Sequence, residues 1–159
     1  MIKILIIAHF NCRGGDFLMQ ISNLMTDQVT TVDSDSSVTD AARVMRDLNV
    51  GVVPVCQGQK PVGMITDRDI TIRNVAENKD LNTPVNQVMS EELVMGSPDM
   101  TAEQAAQLMG EKQIRRLPIV EDNNLVGIVS LGDLAVANQT NMEAGDALST
   151  ISTPSKPNK

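Results

Sequence analysis

The chain repeats itself. From Ile21 to Asn138, a copy shifted by 64 residues aligns without a gap. Met25 meets Met89, Ala41-Ala42 meets Ala105-Ala106, Met45 meets Met109 and Pro54 meets Pro118. Val62-Gly63 then meets Val126-Gly127, and Asp69 meets Asp133. Where identity fails, apolar character persists: Val50 faces Ile114, Val55 faces Ile119, Ile65 faces Val129 and Ile70 faces Leu134. Units this small cannot bury a core alone, so two copies are expected to fold as one pseudo-symmetric body. Its seam then offers two related clefts.

Charge and composition narrow what those clefts can hold. The formal net charge of −7 disfavours nucleic acid or an anionic membrane surface, both of which need clustered Lys and Arg. No apolar run approaches the roughly 20 residues that span a bilayer. The stretch Ile4–Ala8 after Lys3 is shorter than a signal-peptide core, and no A-x-A-like cleavage site comes after it. Cys12 and Cys56 form no CxxC and no disulfide framework. These features together read as a cytoplasmic protein of a reducing compartment.

Residues 1–18 have no counterpart in the second copy. Gly14-Gly15-Asp16 can be encoded by a purine-rich run resembling a ribosome-binding sequence, with Phe17-Leu18 as spacer before Met19. The expectation is a non-native leader, with an ordinary N-terminal strand as the alternative. An intact mass that includes Met1–Leu18 in protein from the native gene decides for the strand. Both Phe residues, His9 and Cys12 lie in this segment. The chain from Met19 onward lacks histidine, the commonest general base and metal ligand, and lacks aromatic stacking platforms.

Each copy reads β-α-β-β-α, giving a mixed α/β (α+β) chain with its sheets packed together. The expected divisions are repeat 1 at 19–82, repeat 2 at 83–140, and a short helix with a disordered tail at 141–159. An apolar stub (Ile21, Leu24, Met25; Val85, Val88, Met89) precedes a β-prone segment, Val29–Val32 or Leu93–Met95. Next comes a helix with apolar residues Val38, Ala41, Ala42, Met45 and Leu48 at steps of three and four. Ser37 with Asp40, and Thr101 with Gln104, have capping-box spacing. Hairpins come next at Val52–Cys56/Val62–Thr66 and Leu117–Val120/Val126–Ser130, where Pro54 and Pro118 favour edge or irregular strand positions. A second helix starts after Thr66 and after Ser130. Ala144, Leu148 and Ile151 suit one further amphipathic helix, and Thr153–Lys159 should be disordered.

The strongest chemical signal is Gly63-Met-Ile-Thr66-Asp67-Arg68-Asp69, echoed by Gly127-Ile-Val-Ser130-Leu-Gly132-Asp133. A hydroxyl three residues before an Asp makes a helix N-cap pair. The same carboxylate can accept from two adjacent sugar hydroxyls, while the Thr or Ser and free helix amides face a phosphate. Both readings can hold together. Arg115-Arg116 stands where the first copy has Gly51-Val52; these arginines are either solvated strand flanks or charge-assisted phosphate contacts. Cys56 reads as core, and the methionines as filler in place of aromatics. Neither a G-x-x-x-x-G-K loop nor a G-x-G-x-x-G after a strand is present. No cofactor, metal or catalytic residue is expected, and the chain does not read as an enzyme.

The unit order, Val-Pro-Val, Leu-Pro-Ile-Val, Gly-x-x-Thr-Asp-Arg-Asp-Ile and Gly-x-x-Ser-x-Gly-Asp-Leu resemble a tandem pair of cystathionine-β-synthase-type (CBS) domains. The resemblance covers Ile21 to about Asn138 and is greatest to small stand-alone bacterial CBS-pair proteins. It implies a regulatory module, commonly a homodimer, binding AMP, ADP, ATP or a related adenosine-containing ligand between the repeats. Carried over by position, Thr66, Arg68 and Asp69 form the ribose and phosphate side of one cleft. Val94 and Ile114 then flank the base, and Arg116 crosses to the phosphates. In the related cleft, Ser130 and Asp133 take the sugar, Thr30 and Val50 wall the base, and Arg115 reaches the phosphate. Gly51, Val52 and Gly132 depart from the fullest pattern, which weights the expectation toward the Thr66/Asp69 cleft. The alternative is a constitutive dimerisation or protein-interaction module with no physiological nucleotide.

Overall fold

A computed structural model describes residues 19–136 and 141–152, the last helix beginning with its backbone alone at 141–144. Residues 1–18, expected as a leader, residues 137–140, and residues 153–159, expected as a disordered tail, lie outside the described residues. The first repeat comprises β1 (Val32–Asp33), α1 (Val38–Leu48), β2 (Val52–Gln57) and β3 (Lys60–Thr66). It continues with α2 (Asp67–Asp69), which runs straight into a π-helical segment, Ile70–Val75. The second repeat supplies α3 (Ala102–Lys112), β4 (Arg116–Glu121), β5 (Asn124–Ser130) and α4 (Leu131–Val136), and α5 (Asn141–Ser152) comes last.

The 64-residue offset holds at the level of single hydrogen-bond partners. Val52 pairs with Thr66 as Arg116 pairs with Ser130, and the antiparallel ladders slip register at Val55/Cys56 and at Ile119/Val120. Parallel to β2, β1 pairs Val32 with Val55; its counterpart is a single parallel bridge, Gly96 to Ile119. The expected strands at Val29–Val32 and Leu93–Met95 are thus reduced to two residues and to one bridge. Pro118 keeps its carbonyl for that neighbour, accepting from the Gly96 N–H at 2.9 Å. A proline is tolerated there because only its missing N–H would interrupt the ladder. The hairpin tips differ: Gly58 has φ +62°, whereas Asp122 and Asn123 both adopt positive φ, as a two-residue I′ turn requires. The Leu125 N–H donates to Gln59 O at 2.9 Å and ties the two tips together.

Capping boxes close α1 and α3 as their spacing predicts. Ser37 and Thr101 each accept from the backbone N–H three residues on, and Asp40 and Gln104 reach back. Asn49 and Gln113 end these helices in the left-handed region. The buried stripe of α1 is Val38, Ala41 and Met45 with Val44 beside it; Ala42 and Leu48 are exposed, contrary to the sequence pattern. In α3 both Ala105 and Ala106 are buried, because α5 lies on α3 and α4. A Cβ on Gly110 would stand 3.2 Å from Ala147 Cα. That close approach selects Ala147 with Ile151 as the inner face of α5, and the larger Leu148 is left outside.

Each apolar stub crosses to the other repeat. Ile21 is fully buried among Ala102, Ala105, Met109, Leu117, Ile119 and Leu134, all of the second repeat. Val85 and Val88 are buried among Val38, Ala41, Val53, Val55 and Ile65 of the first. The backbone repeats the exchange: Ile21 N–H donates to Met100 O and Val85 N–H to Ser36 O, both at 2.8 Å. Two cores therefore form, each completed by a segment belonging to its neighbour in sequence. Burying one such aliphatic side chain contributes about 1.5–3 kcal/mol, so neither unit is self-sufficient. Among the described residues no helix is long and apolar enough to cross a membrane.

Candidate functional site

Past each stub the chain pairs with the last strand of the opposite hairpin. Thr26 and Ile128 exchange backbone hydrogen bonds at 2.9 and 3.0 Å; Met64 and Ser90 do the same at 3.0 and 2.9 Å. Gly63 and Gly127 permit these crossings. A Cβ on Gly63 would lie 2.5 Å from Met89 Sδ, and one on Gly127 would overlap the Met25 thioether. The first-repeat segment Thr26–Thr30 is thereby laid along the Ser130 end of β5.

That crossing frames a cavity of ≈ 340 Å³ walled by Thr30, Val50, Val52, Arg116, Ser130 and Asp133, with Gln28, Leu48 and Pro54 also at its surface. Four expected site residues, Thr30, Val50, Ser130 and Asp133, are brought together here. Arg116 joins them, although the sequence assigned it to the opposite cleft and gave Arg115 to this one. The register explains the place of Arg116. Arg116 stands directly opposite Ser130 across the β4–β5 ladder. Arg115, one residue before the strand, is exposed, and its carbonyl accepts from Leu131 N–H at 3.1 Å. Neighbouring strand residues face opposite sides, so one residue decides which arginine meets the cleft.

Ser130 and Asp133 form a cap as well as a candidate sugar site. Ser130 Oγ accepts from Asp133 N–H (3.1 Å), while Asp133 Oδ2 accepts from Ser130 N–H (2.7 Å) and its hydroxyl (2.6 Å). Among the described residues Oδ1 has no second partner. Arg116 uses one N–H on Arg115 O at 3.2 Å, leaving most of the five guanidinium donors for an anion. The cleft thus offers a hydroxyl acceptor and a cation facing apolar Val50 and Val52.

Thr66 and Asp69 repeat the cap: Thr66 N–H and hydroxyl donate to Asp69 Oδ2 at 3.0 and 2.7 Å, and Asp69 N–H returns to Thr66 Oγ1 at 3.0 Å. The environment differs. Asp69 Oδ1 lies 3.6 Å from Arg73 Nη1, and the Asp69 side chain is only 14% exposed. That guanidinium also donates to Val88 O and Met89 O, each at 3.0 Å. Arg68 is exposed at the rim, with its N–H on Asp67 Oδ1 at 2.7 Å. Val94 and Ile114 are partly buried against the second-repeat core. Sequence reasoning missed Arg73, although its i,i+4 spacing from Asp69 was visible.

A larger cavity, ≈ 400 Å³, lies between the hairpin tips. Asp27, Glu121 and Asp122 line it with no cation, so it repels a phosphate. Cys56 borders it but is buried; burial raises the thiol above its ordinary value, Asp33 adds to that, and a hydrogen bond with Thr31 opposes it. Burial thus favours the protonated thiol over the nucleophilic thiolate. Among the described residues no group of three or more His, Cys, Asp or Glu side chains could hold a metal ion.

The chain is 51% identical over 135 residues to the CBS domain-containing protein YhcV of Bacillus subtilis, covering 85% of this chain and 96% of that one. A crystal structure of Hypoxic Response Protein I with two coordinated zinc ions superposes with a TM-score of 0.70 at 30% identity, covering 75% of this chain and 98% of that one. The CBS domain pair of protein MJ0100, in complex with 5′-methylthioadenosine and S-adenosyl-L-methionine, superposes with a TM-score of 0.66 at 25% identity, covering 74% and 94%. The CBS-domain family model matches twice, over residues 21–73 and 85–139. With both repeats matched and their registers offset by one constant step, the chain belongs to the CBS-domain family as a tandem CBS pair.

Proposed function

We propose that this CBS pair is a regulatory module binding an adenine nucleotide of the AMP, ADP or ATP type in the Ser130/Asp133 cleft. One observation carries the reading: a carboxylate whose Oδ1 has no partner among the described residues and a guanidinium line the same ≈ 340 Å³ cavity as Thr30 and Val50 of the other repeat. The adenosine-containing ligands of the MJ0100 pair support the ligand class. Val50 and Thr30 would wall the base, Asp133 would accept from ribose hydroxyls, and Arg116 would meet the phosphate. No catalytic step, cofactor or metal is assigned. Ligand would draw the repeats together across the crossing segments, and a protein partner or dimer surface would read the change.

The reading includes a cytoplasmic homodimer. α5 covers the helical side of the second repeat, while Leu48, Ile72 and Val75 of the first are each about half exposed. Such exposed apolar side chains suit self-association, and they equally favour the second reading, an interaction module without a nucleotide. Sedimentation showing only monomer at micromolar concentration would count against the dimer.

Thermal unfolding with AMP, ADP, ATP and adenosine separates the two functional readings. Ligand at about 100 times its dissociation constant stabilises by about 2.7 kcal/mol. For a chain of this size the melting temperature then rises by roughly 5–10 °C. An unchanged melting temperature with all four ligands rejects nucleotide binding and leaves the interaction module.

A further inference from the structure

The two clefts carry the same hydroxyl-x-x-Asp cap, yet their carboxylates are not equally available. In the first, Asp69 Oδ2 takes the N–H and hydroxyl of Thr66, and Oδ1 faces Arg73 Nη1 at 3.6 Å. In the second, Asp133 Oδ2 takes the equivalent pair from Ser130, and the residue is exposed. Four residues after Asp69 the sequence places Arg73; four residues after Asp133 it places Ala137, which carries no charge. The asymmetry is written in the duplication itself.

Arg73 is also anchored at its far side. Nη1 is within 3.0 Å of both Val88 O and Met89 O and 3.3 Å of Ser90 Oγ. Those atoms belong to the stub that buries Val88 in the first core and sets Met89 over Gly63. The guanidinium is thus held beside Asp69 by backbone acceptors that do not depend on Asp69. A sugar hydroxyl arriving at Asp69 must displace a charged donor already in place, and a neutral hydroxyl is the weaker competitor.

We infer that Arg73 acts as an internal competitor for the Asp69 carboxylate, so that the chain presents one working nucleoside site, in the Ser130/Asp133 cleft, and one held shut. The inference rests on the nucleotide-binding reading for its ligand class. It departs from that reading in assigning a role to Arg73 and a stoichiometry to the chain.

The test is an amide-resolved NMR titration with adenosine, which has the sugar hydroxyls and no phosphate. In the wild-type chain the Ser130 and Asp133 amides should shift and saturate, with Thr66 and Asp69 lagging. In Arg73→Ala the Thr66 and Asp69 amides should saturate at concentrations lower by up to about fivefold, the upper range for removing a partly exposed ion pair. Adding Asp69→Asn to Arg73→Ala should cancel that gain. Arg73→Gln, which keeps hydrogen-bond donors for the Val88 and Met89 carbonyls but no charge, is read alongside in case Arg73→Ala does not fold. Equal saturation of both clefts in the wild type overturns the inference, as does a first cleft unmoved by both Arg73 variants. If the wild type binds adenosine nowhere, the working nucleoside site at Ser130/Asp133 fails, while the nucleotide melting series decides the proposed function separately. The competitor role of Arg73 then stands alone if either variant gains an Asp69-dependent site, and falls if neither does.

Discussion

A methyl group added at Gly63 or Gly127 probes the crossings that frame both clefts. Neither glycine has positive φ among the described residues, where Gly58 is the glycine that does, so alanine can adopt the native backbone at both. What differs is the obstacle. At Gly127 the new Cβ overlaps the Met25 thioether, and the nearest backbone atom, Thr26 O, is 3.2 Å away. A methionine has three rotatable bonds and can swing aside, so overpacking should fall near 1 kcal/mol. Loss of glycine entropy in the unfolded chain returns about 0.4–1 kcal/mol. The net destabilisation of Gly127→Ala is therefore about 0–0.6 kcal/mol. At Gly63 the Cβ lies 2.5 Å from Met89 Sδ and also 2.9 Å from Ser90 O, whose residue is bonded both ways to Met64. Moving that carbonyl strains two backbone hydrogen bonds, so Gly63→Ala should cost about 2–3 kcal/mol. Urea unfolding of both variants, with unchanged m-values, reads the difference. In a double-mutant cycle, Met25→Ala should cancel most of the Gly127→Ala effect, while Met89→Ala should relieve only part of the Gly63→Ala effect. Gly63→Ala no less stable than Gly127→Ala would refute the crossing geometry.

Ile21→Ala should cost about 2–5 kcal/mol, and hydrogen exchange should rise first in α3 and β4, whose side chains surround Ile21, before α1 and β2. Arg116→Ala should weaken AMP far more than adenosine in calorimetric titration; equal weakening removes Arg116 from the phosphate. Asp133→Ala should abolish most of the nucleotide-induced melting shift and Asp69→Ala much less; the reverse order would restore the Thr66/Asp69 cleft as the main site. The Ser37 hydrogen bond, backed by Arg43, holds the Asp40 carboxyl below its ordinary value of 3.8. A depressed carboxylate stabilises the fold above its unfolded pKa and loses that contribution as pH falls through the folded value. The stability gap between the wild type and Asp40→Asn should therefore close below pH 3.8, and a gap that widens on acidification contradicts the assignment.

Much of the architecture was legible in the residues because it rests on local rules. Capping boxes act over three positions, hairpin turns over two to four, and helix stripes over one or two turns. Ser37/Asp40, Thr101/Gln104 and both Thr/Ser-x-x-Asp pairs accordingly form as their spacing indicates. The constant offset carried the fold further, since equal units repeat equal contacts. Other features depended on which partner arrived. Ile21 and Val85 are equally apolar and would satisfy either core; only the packed chain sends each to the opposite repeat. Ala42 and Ala106 are the same residue at the same repeat position, but α5 covers only the second. Arg115 and Arg116 are neighbours with identical chemistry, and the pairing of Arg116 with Ser130 decides which one lines the cleft. Arg73 showed its helical spacing from Asp69, but not the Val88 and Met89 carbonyls that hold it there. Sequence by itself determined what each segment becomes, because that is settled among near neighbours. Tertiary structure decided which segments meet, because non-directional apolar burial and strand register distinguish equivalent partners only when the whole chain is packed.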